Sequence, residues 1–230
     1  MEEQAKGRTT TTGKCNLCGR TLAKAGMTRH LQSCWQRQAA SGVVPTGPRA
    51  RERRVFLIVA GDRHSSIYWM HLAVPAAAKL VVLDSFLRDT WLECCGHMSA
   101  FEIDGQTYFS SAAREMEGRS MNFEIGRVLR PGSKAFYEYD FGTTTELALS
   151  VAAERVGLSD RKSIQVLARN DPPEIICQSC GKPATQVCAQ CIYEGEGWLC
   201  DECAGQHACG EEMLLPVVNS PRVGMCAYEG

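Results

Sequence analysis

The spacing of apolar residues in the middle of the chain predicts a mixed α and β domain over residues 54–172. A continuous apolar run at residues 55–60 is typical of a buried strand, and residues 66–74 predict a second strand that Pro75 ends. Residues 77–92 predict a helix, because four large apolar side chains recur there at helical spacing. These side chains are Leu80, Leu83, Leu87 and Trp91.

Further strands are predicted along the rest of this domain by short apolar or alternating runs between turn signals. We expect a turn at Gly61-Asp62, a hairpin turn at Asp104-Gly105 and a linker at residues 170–173. The predicted strands cover residues 100–103, 106–109, 136–141, 145–152 and 163–168.

Three Cys-x2-Cys pairs follow in a C-terminal module, residues 173–230, where they predict zinc sites. Such a pair aims two thiols at one point, as a tetrahedral zinc requires, and with two later donors the pairs supply ligands for two ions. The spacing favours an interleaved order, in which pairs one and three share an ion. Pairing the first two pairs, or a disulfide framework, are the alternatives. The donors are Cys177 and Cys180, Cys188 and Cys191, Cys200 and Cys203, then His207 and Cys209.

Cys226 is a ninth candidate ligand for these eight positions, because it lies in a turn-like Gly-Met-Cys-Ala sequence. It could take the place of either His207 or Cys209 in the second site. Sites this rich in sulfur are closed and structural. Zinc binding would also stabilise a segment that has few large apolar side chains.

A third zinc site is predicted near the N-terminus, over residues 14–37. Cys15 and Cys18 form a Cys-x2-Cys pair, and His30 and Cys34 follow one helical turn apart. We expect the helix to begin near Ala23, with a small core of Leu22, Met27 and Leu31. Lys24, Arg29 and Arg37 are expected on its outer surface, giving a total of about three zinc ions.

Charge is divided unevenly along the chain. Eleven basic and three acidic residues in residues 1–55 give a net charge of +8, against −9 for residues 56–230. We expect residues 1–13 to be a disordered tail and residues 38–53 to be a basic linker. A basic run of Arg49, Arg51, Arg53 and Arg54 crosses the end of this linker. A basic N-terminal region, residues 14–55, predicts contact with nucleic acid or an acidic partner, and a finger that only stabilises the fold or binds protein is the alternative. The acidic module, residues 174–230, predicts contact with a protein.

Composition places the chain among ordinary globular proteins, with 44% apolar and 22% charged residues. No run of eighteen apolar residues predicts a membrane span. Nothing resembles a signal peptide, so we expect a cytoplasmic location, where a reducing environment favours metal sites over disulfides.

The central domain resembles the plasmid pRiA4b ORF-3-like family over roughly residues 54–170. The resemblance rests on the Trp69-containing strand, the helix that follows it, His97-x3-Phe101 and Tyr-Asp-Phe-Gly at residues 139–142. It implies an α+β fold with an antiparallel sheet, occurrence with plasmids or mobile elements, and no established enzymatic activity. The chain departs from the family pattern after residue 142, where Thr143, Thr145 and Leu147 occupy the corresponding region.

We therefore predict an α+β protein with a central antiparallel sheet and packed helices. A small N-terminal zinc finger and a C-terminal two-zinc module would flank this sheet. The predicted function is non-enzymatic binding of nucleic acid or protein, with no catalytic residue assigned. The alternative is an enzyme of unknown reaction that uses His97, Glu138 and Asp140. The adjacent Cys94 and Cys95 are interpreted as buried thiols, with a metal or redox role beside His97 as the alternative.

Overall fold

The computed structural model describes residues 10–40, 51–110, 118–159 and 163–230. Ten strands form one large sheet in the order β2-β1-β10-β4-β3-β9-β8-β5-β6-β7, antiparallel except between β6 and β7. The strands are β1 Thr12–Cys15, β2 Thr21–Ala23, β3 Arg51–Asp62, β4 Trp69–Pro75, β5 Ser99–Ile103, β6 Gln106–Phe109, β7 Arg119–Ser120, β8 Lys134–Tyr139, β9 Thr145–Ser159 and β10 Gln165–Asn170.

A second sheet of three short antiparallel strands lies in the C-terminal module, in the order β12-β11-β13. Its strands are β11 Gln186–Cys188, β12 Trp198–Leu199 and β13 Leu214–Pro216. The helices are α1 Lys24–Ala40, α2 Leu80–Leu87 with a π-helical turn at Arg88–Leu92, α3 Ile125–Val128, α4 Asp201–Ala204, and 3₁₀ turns at Cys191–Glu194 and Glu211–Met213. None of the helices described has the length and apolar character needed to cross a membrane.

Both faces of the central strands are buried, which explains the continuous apolar run in β3. Side chains alternate between the two faces of a strand. Phe56 and Ile58 belong to the core formed with α2, whereas Val55 and Leu57 belong to a second core on the other face. A strand covered on both sides needs apolar residues at every position rather than at every second one.

The N-terminal finger supplies the cover of that second face, so the prediction of a separate flanking finger is wrong. Its hairpin joins the sheet, because β1 pairs with β10 from Gly13 opposite Asn170 to Cys15 opposite Ala168. Helix α1 buries Met27, Leu31 and Trp35 against the sheet residues of this core. The predicted miniature core of the finger is therefore shared with the main sheet, which is larger than the sequence predicts.

Several elements begin or end at residues other than those predicted, because segments predicted as loops form paired strands. Residues 12–13 of the predicted disordered tail lie in β1, and residues 1–9 lie outside the described residues. The predicted basic linker is replaced at its two ends by α1, which extends to Ala40, and β3, which begins at Arg51; residues 41–50 are not described. Gly61 and Asp62 pair within β3, so the turn follows them instead.

The predicted linker at residues 170–173 is anchored at its start. Asn170 is buried, and its side-chain oxygen accepts a hydrogen bond from the Trp69 amide at 2.9 Å. The Asp171 amide donates to the Thr12 carbonyl at 2.8 Å. The C-terminal module then packs on the α2 face, where Val187, Leu215 and Val223 join the main core. Finger and module therefore cover opposite faces of one sheet.

Truncation of Leu31 to alanine tests whether the finger is part of the main fold. Leu31 is fully buried in the core between α1 and the sheet, and such a truncation costs about 2–5 kcal/mol. We expect Leu31→Ala to lower the free energy of global unfolding, measured with denaturant, by this amount. The partly exposed Val81→Ala is the control and should change stability little. A Leu31→Ala variant that unfolds only its finger, with an unchanged main transition, contradicts the shared core.

Acid sensitivity should depend on His71, which is fully buried between the sheet and α1. Burial, followed by the nearby Lys24 charge, lowers the pKa of His71 from 6.5 to about 4. The unfolded chain binds the proton at higher pH than the folded chain does, so stability falls as pH drops from about 6.5 towards 4. Between pH 7 and pH 5 this linkage contributes a loss of about 2 kcal/mol.

Denaturant unfolding of wild type and His71→Leu at the two pH values measures this contribution. Metal release at low pH affects both proteins, so the difference between their pH dependences isolates His71. We expect the variant to lose less stability on acidification. Equal losses in the two proteins would show that His71 does not titrate in this way.

Candidate metal centres

The thirteen cysteines of the chain all fall into four clusters, each completed to four donors by cysteine or histidine. Within a cluster the candidate ligand atoms lie within 4.8 Å of one another, so each of these clusters in the described part of the chain can hold a metal ion. The clusters are Cys15, Cys18, His30 and Cys34 (the finger cluster); Cys177, Cys180, Cys200 and Cys203 (the four-cysteine cluster); Cys188, Cys191, His207 and Cys209 (the module histidine cluster); and Cys94, Cys95, His97 and Cys226 (the fourth cluster).

Sulfur spacings fit metal coordination rather than disulfide bonds. Zinc–sulfur bonds of about 2.3 Å in a tetrahedron place the sulfur atoms about 3.8 Å apart, whereas a disulfide joins them at about 2.05 Å. All thirteen thiols are free. The sulfur–sulfur distances are 3.5 Å for Cys180–Cys200, 3.6 Å for Cys191–Cys209, 3.7 Å for Cys94–Cys95 and 3.8 Å for Cys95–Cys226.

The finger cluster is assembled by the β1–β2 hairpin and α1. Cys15 ends β1, Cys18 lies in the turn, and His30 and Cys34 face the hairpin from successive turns of α1. Cys18 Sγ lies 3.2 Å from His30 Nε2. A hydrogen bond from the Arg20 amide lowers the pKa of the Cys18 thiol, which favours the thiolate that a metal needs.

The two clusters of the C-terminal module follow the interleaved order of pairs, not the sequential one. Pair one meets pair three, and pair two meets His207 and Cys209. Burial raises the pKa of Cys177, but amide hydrogen bonds from Cys200, Ser179 and Cys180 outweigh it and lower the pKa to about 6. The backbone around this cluster therefore favours the thiolate form that metal binding requires.

Thiols within these clusters oppose one another's ionisation. Hydrogen bonding with Cys180 and other cluster thiols raises the pKa of Cys203 to about 12. Contact with Cys209 and Cys188 does the same for Cys191. Several thiolates cannot share so small a volume unless a cation offsets their charge.

The fourth cluster joins two distant parts of the chain. Cys94 and Cys95 follow the π-helical turn, His97 precedes β5, and Cys226 lies four residues before Gly230. His97 Nε2 lies 3.0 Å from Cys95 Sγ and 3.2 Å from Cys226 Sγ. Cys226 has a φ of 46° and its neighbour Ala227 a φ of 53°, so this turn holds two non-glycine residues in a costly conformation.

Arg222 forms the inner wall of the fourth cluster. Its fully buried guanidinium donates to Asp140 Oδ2 at 2.7 Å and to Cys94 Sγ at 3.4 Å. It also donates to Thr143 O and Thr145 Oγ1, both at 3.1 Å. Burial raises the pKa of Asp140, but the Arg222 hydrogen bond outweighs it and the net shift is downward. Both members of the pair are therefore charged.

Cys226 does not take part in either cluster of the C-terminal module, contrary to its predicted place as an alternative to His207 or Cys209. Both His207 and Cys209 take their places beside Cys188 and Cys191, so the second site of the module has four donors without Cys226. The number of cysteines outside the other three clusters gave a signal for the fourth cluster. Three cysteines remain, of which Cys94 and Cys95 are adjacent and Cys95 lies two residues before His97. Spacing along the chain could not link them, because 131 residues separate Cys95 from Cys226.

The predicted polar triad of the alternative enzyme is brought together only in part. His97 Nε2 lies 3.4 Å from Asp140 Oδ2. Glu138 lies within β8 opposite Glu146, whereas Asp140 follows the strand with a φ of 66° and turns back toward Arg222. The two carboxylates therefore do not lie side by side on one face of β8.

Comparison with known proteins places the chain in no family. No family model matches it, and no curated protein does. One solved structure, described as a protein of unknown function, MM3350 from Methanosarcina mazei Go1, is similar over 57% of this chain and 76% of its own, with 13% identity and a TM-score of 0.44. A likeness this weak carries no argument about function, and membership of the pRiA4b ORF-3-like family stays a prediction.

Metal removal should unfold the C-terminal module before the large sheet. The buried cluster around the four-cysteine site consists of Cys177, Leu199, Cys200 and Ala204, so ligands make up half of it. We expect chelation to abolish hydrogen-exchange protection of amides in residues 177–213 while β3 and β9 keep theirs, as read by mass spectrometry. Unchanged protection in metal-free protein would contradict a structural role for these clusters.

Proposed function

We propose that this chain is a non-enzymatic zinc-containing binding protein whose finger contacts the backbone of a nucleic acid. The observation that carries the proposal is the orientation of α1. Its apolar side, with Met27, Leu31 and Trp35, is buried on the sheet, which leaves its polar and basic side facing outward.

The proposed role of zinc in the finger and the C-terminal module is structural. Each of these three clusters offers four protein donors, at least three of them sulfur. A tetrahedral ion held by four such donors keeps no open position for water or substrate, unlike a catalytic zinc. These sites would therefore fix the surfaces that bind a partner rather than perform chemistry.

Charge on the finger favours an anionic partner. Residues 10–40 contain five basic residues and no acidic one. Four of the basic side chains are exposed, and two glutamines on α1 add hydrogen-bonding capacity beside them. The exposed residues are Lys14, Arg20, Arg29, Gln32, Gln36 and Arg37. Such a surface can neutralise phosphates.

The start of α1 supports backbone contact over base reading. Zinc fingers that read bases use the first turns of their helix. Here Lys24 is half-buried near Asp62, contrary to its predicted place on the outer surface, and Thr28 Oγ1 lies 2.7 Å from His71 Nε2. Because the sheet occupies this part of the helix, binding would have little sequence specificity.

One side chain of the basic run after the finger, that of Arg54, is engaged by a neighbouring strand. Arg54 forms a double hydrogen bond with Glu154, at 2.7 and 2.9 Å. Arg51 and Arg53 belong to a paired strand, and Arg49 lies outside the described residues. The finger is therefore the centre of the proposed nucleic-acid surface.

Protein binding by the C-terminal module is a second candidate. Residues 174–230 hold eight acidic and two basic residues, and one of the basic residues, Arg222, is fully buried. Tyr193 is 62% exposed and Ile176 is 51% exposed, which gives the acidic surface apolar contact points. This surface covers the sheet face opposite α1, so both partners could bind at once. A role with mobile elements rests on the family resemblance alone.

An enzyme remains the competing class. The approach of His97 Nε2 to Asp140 favours it, but the thiols of Cys95 and Cys226 lie 3.0 and 3.2 Å from the same imidazole nitrogen. A metal bound there would occupy the nitrogen that a general base needs. We therefore favour binding over catalysis.

Replacement of Arg29 by alanine should weaken nucleic-acid binding through the loss of one phosphate contact. We expect lower affinity for duplex DNA of any sequence, and a slope of log affinity against log salt that is smaller by about 1. Filter binding across a salt series measures both quantities. The same series with single-stranded RNA shows which nucleic acid is preferred.

Arg127→Ala is the matched control, because Arg127 is also an exposed arginine but lies in α3 on the other face of the sheet. It should retain the wild-type slope. An equal loss in both variants would indicate attraction to net charge only. The absence of binding by the wild-type protein to either nucleic acid would refute the proposal.

A further inference from the structure

We propose that the fourth cluster binds an additional thiolate-preferring divalent ion, of which zinc is the best match, and that this ion is an exchangeable fastening for the C-terminal segment, residues 217–230. This inference does not depend on the binding partner proposed above. It concerns a different set of residues, because Cys94, Cys95 and His97 belong to none of the predicted zinc sites.

Donor numbers give the first support. Three clusters use ten of the thirteen cysteines, and the remaining three all meet at one point. Thiols that were merely core residues would have no reason to converge from two regions of the chain. They are also joined by a histidine, so the set repeats the three-cysteine, one-histidine composition of the finger cluster and the module histidine cluster.

Donor spacing gives the second support. Cys95 Sγ lies 3.7 Å from Cys94 Sγ and 3.8 Å from Cys226 Sγ, close to the edge of a tetrahedral zinc–sulfur site. The imidazole nitrogen Nε2 faces the thiols, at 3.0 and 3.2 Å from two of them. Ligands of this softness prefer zinc over magnesium or calcium, which select oxygen donors.

The surroundings fit an anionic metal site. Three thiolates and a neutral imidazole around a divalent ion carry a net charge of −1. The Arg222 guanidinium donates a hydrogen bond to Cys94 Sγ and is itself held by Asp140. Such outer contacts orient ligands and offset their charge, and no comparable buried arginine contacts the donors of the other three clusters among the hydrogen bonds described.

Accessibility distinguishes this cluster from the other three. Each of those contains at least one buried cysteine, although Cys18 and Cys180 are exposed, whereas none of the four donors of the fourth cluster is buried. A chelator can therefore reach this ion without opening the fold. We expect its ion to exchange first.

Because Cys226 lies in the C-terminal segment and its three partners lie in the central domain, an ion bound by all four would attach the segment to that domain. The C-terminal segment is held at its start by Ser220 Oγ, which donates to the Trp91 carbonyl at 2.5 Å, and by buried Arg222. Beyond Val223 the chain enters the turn with positive φ at Cys226 and Ala227. A bound ion would hold this turn against the central domain at Cys226, two residues before the buried Tyr228. Loss of the ion would leave only packing and hydrogen bonds to hold the end of the segment.

Counting metal ions by native mass spectrometry is the first test, on full-length protein purified under reducing conditions with zinc. We expect four ions in wild type and three in the Cys95→Ala/Cys226→Ala variant. Met98→Ala changes an exposed residue of the same loop and should retain four. Circular dichroism and the hydrogen-exchange protection of β3 and β9 establish that the variant remains folded.

Chelator kinetics and proteolysis are the second test. A zinc-sensitive dye should report one ion released at least about tenfold faster than the rest, and this fast phase should be missing in the double variant. Trypsin cleavage after Arg222, which is inaccessible while that residue is buried, should become about tenfold faster once the first ion has left. Mass spectrometry identifies the released fragment.

In addition to a disulfide between Cys95 and Cys226, four outcomes of these two tests would overturn the inference. They are three ions in wild type, four ions in the folded variant, a fast phase that persists in the variant, or unchanged protection after Arg222 when the first ion is gone. A Cys95–Cys226 disulfide in place of the ion would appear as a loss of two hydrogen masses and would also refute it. None of these results bears on nucleic-acid binding by the finger.

Discussion

The structure depends on one repeated geometric constraint. At four places, four cysteine or histidine side chains converge on one point. Thirteen thiols and three imidazoles meet in four groups of atoms that would repel one another if ionised without a cation. A structural zinc contributes about 10–16 kcal/mol of apparent folding free energy in small domains. That exceeds what the few apolar side chains around Cys177 and Cys200 can supply.

The cysteine-rich ends of the chain also complete the fold of its centre. A sheet with apolar residues on both faces needs two covers. Helix α1 covers one face through Trp35 and its neighbours, while α2 and the C-terminal module cover the other. The ends are therefore not appendages on a finished domain. This arrangement separates the basic finger from the acidic module by the thickness of the sheet, which suits simultaneous binding of two partners of opposite charge.

Sequence patterns among residues that are close together along the chain predicted much of this structure. The helical spacing of Leu80, Leu83 and Leu87, the apolar run of β3 and the Cys-x2-Cys pairs all reflect neighbours within a few turns or one hairpin. The C-terminal pairs meet in interleaved order because the three-stranded sheet brings β11 beside β12 and β13. Regular spacing was enough to favour that order.

Contacts between residues far apart in the sequence were not predicted. Nothing local indicates that β1 would pair with β10, some 155 residues away, or that Cys226 would meet Cys95 rather than Cys191. The burial of Arg222 depends on a carboxylate turned back by the positive φ of Asp140. Such arrangements are set by packing of the whole chain, and propensity or ligand spacing carries no information about them.

X-ray absorption at the zinc edge tests the coordination claim most directly, on full-length protein saturated with zinc. Thirteen sulfur and three nitrogen donors shared by four ions predict a first shell dominated by sulfur near 2.3 Å with a minor nitrogen component near 2.0 Å. A shell dominated by oxygen or nitrogen, or protein that takes up no zinc while remaining folded, would contradict it.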